Sequence, residues 1–108
     1  MLFGLTFLFC IGCYKLEIEE GTPECIEDLI CEFDKNTSCE NGVNVMRFSF
    51  QEQKVYVFDS GFCIVDSGVN VYNSECTYLG TLGGIAGTTT INGEEFSNAI
   101  FESMVWER

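Results

Sequence analysis

The chain has 108 residues, which predicts a single domain, and its seventeen acidic and five basic residues give a net charge of −12. So acidic a surface repels a phosphate backbone, and nucleic acid is therefore not expected as a partner. The chain has no histidine, which excludes Ser-His and Cys-His nucleophile activation and the commonest metal ligand.

Residues 1–12 are apolar throughout and are predicted to be a signal peptide, since a helix needs about 20 apolar residues to span a bilayer. The segment ends in Ile11-Gly12-Cys13, which resembles the lipobox of bacterial lipoproteins. The resemblance implies cleavage before Cys13 and lipidation of its sulfur. Cys10 stands where Leu is usual, and no basic residue precedes Lys15, as if a basic stretch were missing from a truncated signal peptide.

Residues 13–22 follow as a predicted lipidated tether. The switch from apolar residues to Lys15, Glu17, Glu19 and Glu20 is abrupt, and such a charged run favours a solvated segment. The run also resembles the signal that sends some lipoproteins to the cell surface. We therefore expect a lipoprotein of the cell envelope, anchored to the outer membrane on its periplasmic or surface face.

Thr22-Pro23-Glu24 predicts a helix start, with Thr22 as the N-cap and Pro23 at the first helical position. The helix is expected to end near Asp34. At 100° per residue, one face is apolar and should pack on the core. It consists of Cys25, Ile26, Leu29, Ile30 and Phe33, whereas Cys31 falls on the solvent face.

Residues 43–58 are predicted to form a β-hairpin, because apolar residues alternate on both sides of Glu52-Gln53. A tight turn at these two residues would place Phe50 opposite Val55 and Phe48 opposite Val57. The face that carries these four residues and Met46 is assigned to the core beneath the helix. The opposite face is expected to be only partly solvated.

Further β-strand signals lie in residues 69–72, 88–91 and 99–106, with a predicted Asn92-Gly93 turn. The Gly-rich residues 79–87 are predicted to form a compact loop. One helix followed by several strands indicates an α+β fold, with the N-terminal helix packed on an antiparallel sheet. The folded domain is expected to span residues 23–108.

Several spaced motifs resemble a family of small, uncharacterised bacterial lipoproteins. They are the segment 56–63, YVFDSGFC, the segment 82–84, LGG, and the segment 91–96, INGEEF, together with Cys25, Cys39 and Cys76. The resemblance covers most of the predicted domain and implies a secreted or envelope location, but no activity. Cys31 departs from the family's pattern of four cysteines.

Once Cys10 is cleaved and Cys13 lipidated, five cysteines remain, and two disulfides among them allow fifteen arrangements. Because Cys31 is predicted to face solvent, it is the candidate for the odd thiol. The four expected disulfide cysteines are Cys25, Cys39, Cys63 and Cys76. The most local solution pairs Cys25 with Cys39 and Cys63 with Cys76.

Other site chemistries find little support in the motifs. The chain has no C-x-x-C pair, and its glycines at 80, 83, 84 and 87 lack the spacing of a phosphate-binding loop. The segment 34–38 has only the first half of a calcium loop. Asp59 and Asp66 flank Cys63, where turn capping is the expected role of an aspartate. No catalytic residues, metal ligands or cofactors are therefore assigned.

The expected function is that of a non-enzymatic binding domain, anchored to the membrane through its N-terminal lipid and contacting an unidentified envelope protein. A first alternative is an inhibitor or immunity-like protein that blocks a secreted enzyme, since an acidic domain suits a basic cleft. A second alternative is a small enzyme with paired carboxylates.

Overall fold

The computed structural model of the protein describes residues 16–63 and 67–108. Within these ranges one α-helix, α1 (Glu24–Asn36), precedes seven strands: β1 (Val43–Phe50), β2 (Gln53–Ser60), β3 (Gly68–Asn73), β4 (Tyr78–Gly83), β5 (Thr90–Ile91), β6 (Glu94–Glu95) and β7 (Ile100–Glu107). A short 3-10 helix spans Phe96–Asn98 between β6 and β7. Five strands form an antiparallel sheet in the order β4-β3-β2-β1-β7, and β5 pairs with β6. The predicted α+β class, with one helix on an antiparallel sheet, is confirmed.

Helix α1 packs on the core with the predicted face. Ile26 and Ile30 are fully buried, and the three other residues of that face pack against the same cluster. The predicted N-cap is wrong, because the helix begins at Glu24 with Pro23 at the N-cap position. The Thr22 hydroxyl instead donates to the Glu19 carbonyl at 2.6 Å, which fixes the turn that leads into the helix.

The β1–β2 hairpin turns at Gln51-Glu52, one residue earlier than predicted. Phe48 therefore faces Val55, and Phe50 faces Gln53. Both turn residues have positive φ, 53° for Gln51 and 62° for Glu52, the conformation in which Asn-Gly is normally preferred. The predicted register is wrong because the residue types at this turn do not carry that preference.

The helix covers the sheet face opposite to the predicted one. Beneath α1 lies a core cluster that includes Val43, Val45, Tyr56, Phe58, Val105 and Trp106. The face with Phe50, Val55 and Val57 belongs to a second cluster, which is completed by Val71 and Ile91. Both faces of the sheet are therefore apolar. The crossover of residues 84–99, between β4 and β7, brings Ile91 and Phe96 to the face that the helix does not cover.

Residues 79–83 were predicted to be loop but belong to strand β4, which pairs with β3. The close approach of the crossover explains the glycine at position 80. A Cβ on Gly80 would lie 2.9 Å from the Ile91 side chain. This glycine therefore makes room for a core side chain within a strand, a role that the sequence pattern does not distinguish from a loop.

The predicted tether is packed against the domain over residues 16–22. Leu16 and Ile18 contact the core cluster beneath the helix, and Thr22 is buried. The Glu19 amide donates to the carbonyl of Val105 on the edge strand β7 at 2.9 Å. The prediction of a solvated tether is thus wrong for these residues, because alternate apolar positions and one backbone hydrogen bond attach them to the domain.

Candidate functional site

The four cysteines predicted to form disulfides do so with different partners. Cys25 bonds to Cys76 and Cys39 bonds to Cys63, so that the predicted local pairing is wrong. The bridges join residues 51 and 24 positions apart. Helix α1 lies over the sheet, which brings Cys25 to the β3–β4 turn and Cys39 to the segment after β2.

Cys31 is buried, with 5% of its surface exposed, and it is disulfide-bonded as well. The prediction that it is a solvent-facing odd thiol is therefore wrong. A helical wheel gives the angle of a side chain around the helix axis but does not show which part of the chain covers that angle. The predicted signal peptide at 1–12, the lipidation site Cys13 and the loop residue Asp66 lie outside the described residues.

The motif at the end of β2 forms a tight turn. The Asp59 carboxylate accepts a hydrogen bond from the Gly61 amide at 2.9 Å, which is the turn-capping role expected for an aspartate. Gly61 has φ 99°, and a Cβ there would lie 2.5 Å from the Asn41 carbonyl oxygen and 2.8 Å from the Cys39 sulfur. The Asp-x-Gly part of this motif is therefore structural and positions the Cys39–Cys63 bridge.

A cluster of charged side chains bridges β1, β2, β7 and the segment before α1. The Arg47 guanidinium contacts Glu102 at 2.8 Å and Glu19 at 2.6 Å, while Lys54 contacts the other Glu102 oxygen at 2.6 Å. Lys54 first, and then Arg47, lower the pKa of Glu102 through these hydrogen bonds. A carboxylate that is held ionised in this way is unsuited to act as a general acid near neutral pH.

Arg108 closes the end of the helix rather than lining a free anion site. Its guanidinium contacts the Asp34 carboxylate at 2.7 Å and donates to the carbonyl oxygens of Asp34, Thr37 and Cys39. An open depression of about 470 Å³ adjoins it, lined also by Ser38 and Glu40. Because both terminal nitrogens of the Arg108 guanidinium are already engaged, this depression offers little for an anionic ligand.

A groove with aromatic walls lies between α1 and strands β2 and β3. It has a volume of about 220 Å³ and is lined by Leu29, Glu32, Phe33, Asn36, Phe58, Asn70 and Tyr72. The ring of Phe58 meets Phe33 at 5.2 Å and 85°, and Tyr72 at 5.2 Å and 75°. Two rings thus stand edge-to-face against a third, whose own surface is 4% exposed.

Core packing and hydrogen bonds fix the walls of the groove. Phe33 also contacts Trp106 at 6.3 Å, and Tyr72 contacts Tyr78 at 5.7 Å, so the aromatic contacts extend across the helix side of the sheet. Asn70 accepts a hydrogen bond from Thr81 at 2.8 Å. This groove is our candidate binding site, because it combines accessible aromatic carbon with a carboxylate and two amides.

Sequence reasoning did not identify this groove. Phe33 was assigned to the core face of the helix and Tyr72 to a short strand, and neither pattern shows that the two meet beside Phe58. The spacing of Leu29, Glu32, Phe33 and Asn36 is compatible with one flank of a helix. That spacing is the only available signal, and it is common to many surface helices.

In residues 16–63 and 67–108, no three or more His, Cys, Asp or Glu side chains are placed to hold a metal ion together. None of the helices within the same ranges is long and apolar enough to cross a membrane.

Comparison with known proteins gives one family. No curated protein and no solved structure matches the chain. A family model described as a domain of unknown function, DUF6970, matches residues 31–108. The match begins within α1 and includes every strand of the sheet and six of the seven residues that line the groove. The chain therefore belongs to the DUF6970 family of domains of unknown function.

Proposed function

We propose that the protein is an exported lipoprotein of the cell envelope, anchored through Cys13, whose folded domain binds a partner and is not an enzyme. The disulfides carry this proposal. All five cysteines among the described residues are disulfide-bonded. Such bonds form and persist in oxidising compartments outside the cytosol and are rare within it. The domain is also small enough to depend on these bonds for stability.

The groove supports binding as the role of the domain. It exposes aromatic carbon beside polar groups on a scaffold that two disulfides hold together. Binding sites typically combine apolar walls with a few placed polar groups. The alternative of a carboxylate-dependent enzyme is less well supported, because the groove is lined by one carboxylate, Glu32, and Glu102 is held ionised elsewhere.

The first test is the intact mass of the protein purified from membranes, before and after reduction and alkylation. The proposal expects a chain that begins at Cys13 and carries acyl groups, with Cys25, Cys39, Cys63 and Cys76 resistant to alkylation until reduction. A non-acylated chain with alkylatable thiols in the unreduced sample would contradict both export and anchoring. A Cys13→Ser variant is the matched control, and it should lose the acyl mass and leave the membrane fraction.

A second candidate function is inhibition of a secreted enzyme, and the net charge of −12 favours it. An acidic domain is steered towards a basic cleft, and such steering weakens as salt increases. Chemical crosslinking in intact cells, followed by mass spectrometry, should identify a cationic hydrolase as the neighbour. The purified pair should then show inhibition that declines between low and high salt. Undiminished hydrolase activity in that mixture would exclude this function.

A further inference from the structure

The volume of the groove limits what can occupy it. At about 220 Å³ it is smaller than the roughly 300–1,000 Å³ typical of sites that enclose a whole small molecule. A single long side chain or a small headgroup is therefore a better match than a cofactor. The groove is also open along the flank of α1, so an occupant could remain attached to a larger molecule.

The charges around the groove select a cation. Glu32 is exposed at the rim, and none of the four ion pairs within the described residues involves it. No basic residue lines the groove. The net charge of −12 adds a long-range attraction for cations. An anionic occupant would meet a carboxylate without a compensating positive group.

The aromatic walls favour a guanidinium among cations. Cations are attracted to the faces of Tyr and Phe rings within about 6 Å, and a planar guanidinium can also stack on them. Its five N–H donors match a carboxylate such as Glu32 in a bidentate pair. A quaternary ammonium has no N–H to donate, so it would leave the hydrogen-bonding capacity of the Glu32 and Asn36 oxygens unused.

We propose that the groove between α1, β2 and β3 binds an arginine side chain of a basic protein partner, with Glu32 pairing with the guanidinium and Phe33 and Tyr72 flanking it. This rests on the proposed function as a binding domain and names the chemistry of its partner. The charge complementarity between a chain of net charge −12 and a basic partner supports the choice of occupant.

The test is an NMR titration of the disulfide-bonded full-length chain with N-acetyl-L-arginine methylamide. We expect shifts that cluster on residues around Glu32, Phe33 and Tyr72, with an affinity in the millimolar range. The citrulline analogue, which has the same shape but no charge, should give no such cluster. Glu32→Gln should weaken arginine binding about fivefold, the loss expected for one charge-assisted contact.

Three matched comparisons decide the outcome. Asp28→Asn removes one charge from an exposed position of the same helix outside the groove and should leave binding unchanged. Tyr72→Phe keeps the ring and should retain binding, whereas Tyr72→Leu should lose it with the fold verified by the same spectra. Equal shifts with citrulline or with choline, or equal losses in Asp28→Asn and Glu32→Gln, would overturn the assignment to arginine.

The two proposals can fail separately. If the mass measurement finds an acylated, disulfide-bonded chain but arginine causes no shifts at about 100 mM, roughly a hundred times a millimolar dissociation constant, the groove assignment is wrong and the envelope function stands. If arginine binds but the chain is neither acylated nor disulfide-bonded in cells, the export proposal fails. The site would then act in another compartment.

Discussion

Some single residues stabilise the fold through a special backbone conformation or through hydrogen bonds at the end of the helix. Arg108 is one of them, because it satisfies carbonyl groups that the end of a helix leaves without intrahelical donors. Its guanidinium reaches Asp34, Thr37 and Cys39, and its side chain is 28% exposed. The Arg108 side chain, directly after β7, thus connects that strand to the end of α1.

Replacement of Arg108 should therefore destabilise the fold. We expect Arg108→Ala to lower the free energy of unfolding by about 1–3 kcal/mol, since carbonyl acceptors lose a charged donor. Urea denaturation of the oxidised chain measures this change. Arg108→Lys should recover part of the loss through the ion pair with Asp34. Lys35→Ala is the control, because Lys35 is an exposed cation in the last turn of the same helix. Its replacement should lower the free energy of unfolding by less than about 1 kcal/mol. Equal effects at both positions would contradict this role.

The β1–β2 turn gives a prediction of the opposite sign. Glu52 has φ 62° in a turn where glycine has no steric penalty. Glu52→Gly should raise the free energy of unfolding by about 0.5–1 kcal/mol, because relief of left-handed strain exceeds the entropy that glycine adds to the unfolded chain. Glu52→Ala keeps the Cβ and should give no such gain. A destabilised glycine variant in urea denaturation would show that the turn is not strained at this position.

The neighbouring Gln51 should not be replaced in that experiment. Its side-chain oxygen accepts a hydrogen bond from the Asn92 side-chain amide at 3.2 Å. Its side-chain nitrogen donates to Glu94 at 3.2 Å and to the Asn92 carbonyl at 3.5 Å, so Gln51 connects the β1–β2 turn to the β5–β6 turn. The Asn92-Gly93 turn has positive φ at both residues, as its sequence predicts. Side chains from one turn thus support the other.

Individual strands of the sheet are connected by the charged cluster at Arg47. The pKa of Glu102 is lowered from its ordinary value of 4.5 by Lys54 and Arg47. A group whose pKa is lower in the folded state stabilises the fold above its unfolded-state pKa, and that contribution is lost as the pH falls through its folded-state pKa. The cluster should therefore stabilise the protein at neutral pH and lose this contribution in acid.

The measurement is the urea midpoint at neutral pH and at points below about pH 4.5, for the parent chain and Glu102→Gln. The parent should lose stability across this window, and Glu102→Gln should be less stable at neutral pH and show a smaller further loss. Glu75→Gln is the matched control, because Glu75 is exposed and its side chain enters no ion pair within the described residues. A parallel pH dependence of all three chains would exclude this contribution of Glu102.

The two disulfides act at the scale of the whole molecule, because they join parts of the chain that are distant in sequence. The Cys25–Cys76 and Cys39–Cys63 bridges close loops of 51 and 24 residues, one nested inside the other. In the chain-entropy model each contributes about 3–4 kcal/mol, which is a large share of the stability of a small domain.

Removal of either bridge should consequently leave a marginal fold. We expect Cys25→Ser with Cys76→Ser to lower the free energy of unfolding by about 3–4 kcal/mol, and Cys39→Ser with Cys63→Ser to have an effect of similar size. Peptide mapping without reduction should show Cys25 linked to Cys76 in the parent chain. Linkage of Cys25 to Cys39 in that map would contradict the fold itself.

The sequence by itself determined the α+β class, the apolar face of the helix and the Asn92-Gly93 turn, because these follow from local periodicity and turn chemistry. Only the tertiary structure decided which sheet face the helix covers. Both faces of β1 and β2 are apolar, and the crossover that carries Ile91 and Phe96 competes for one of them. The disulfide pairing and the groove were likewise decided only by the tertiary structure, because both depend on contacts between residues distant in sequence. Cys25 meets Cys76 in this way, and Phe33 and Tyr72 both pack against Phe58.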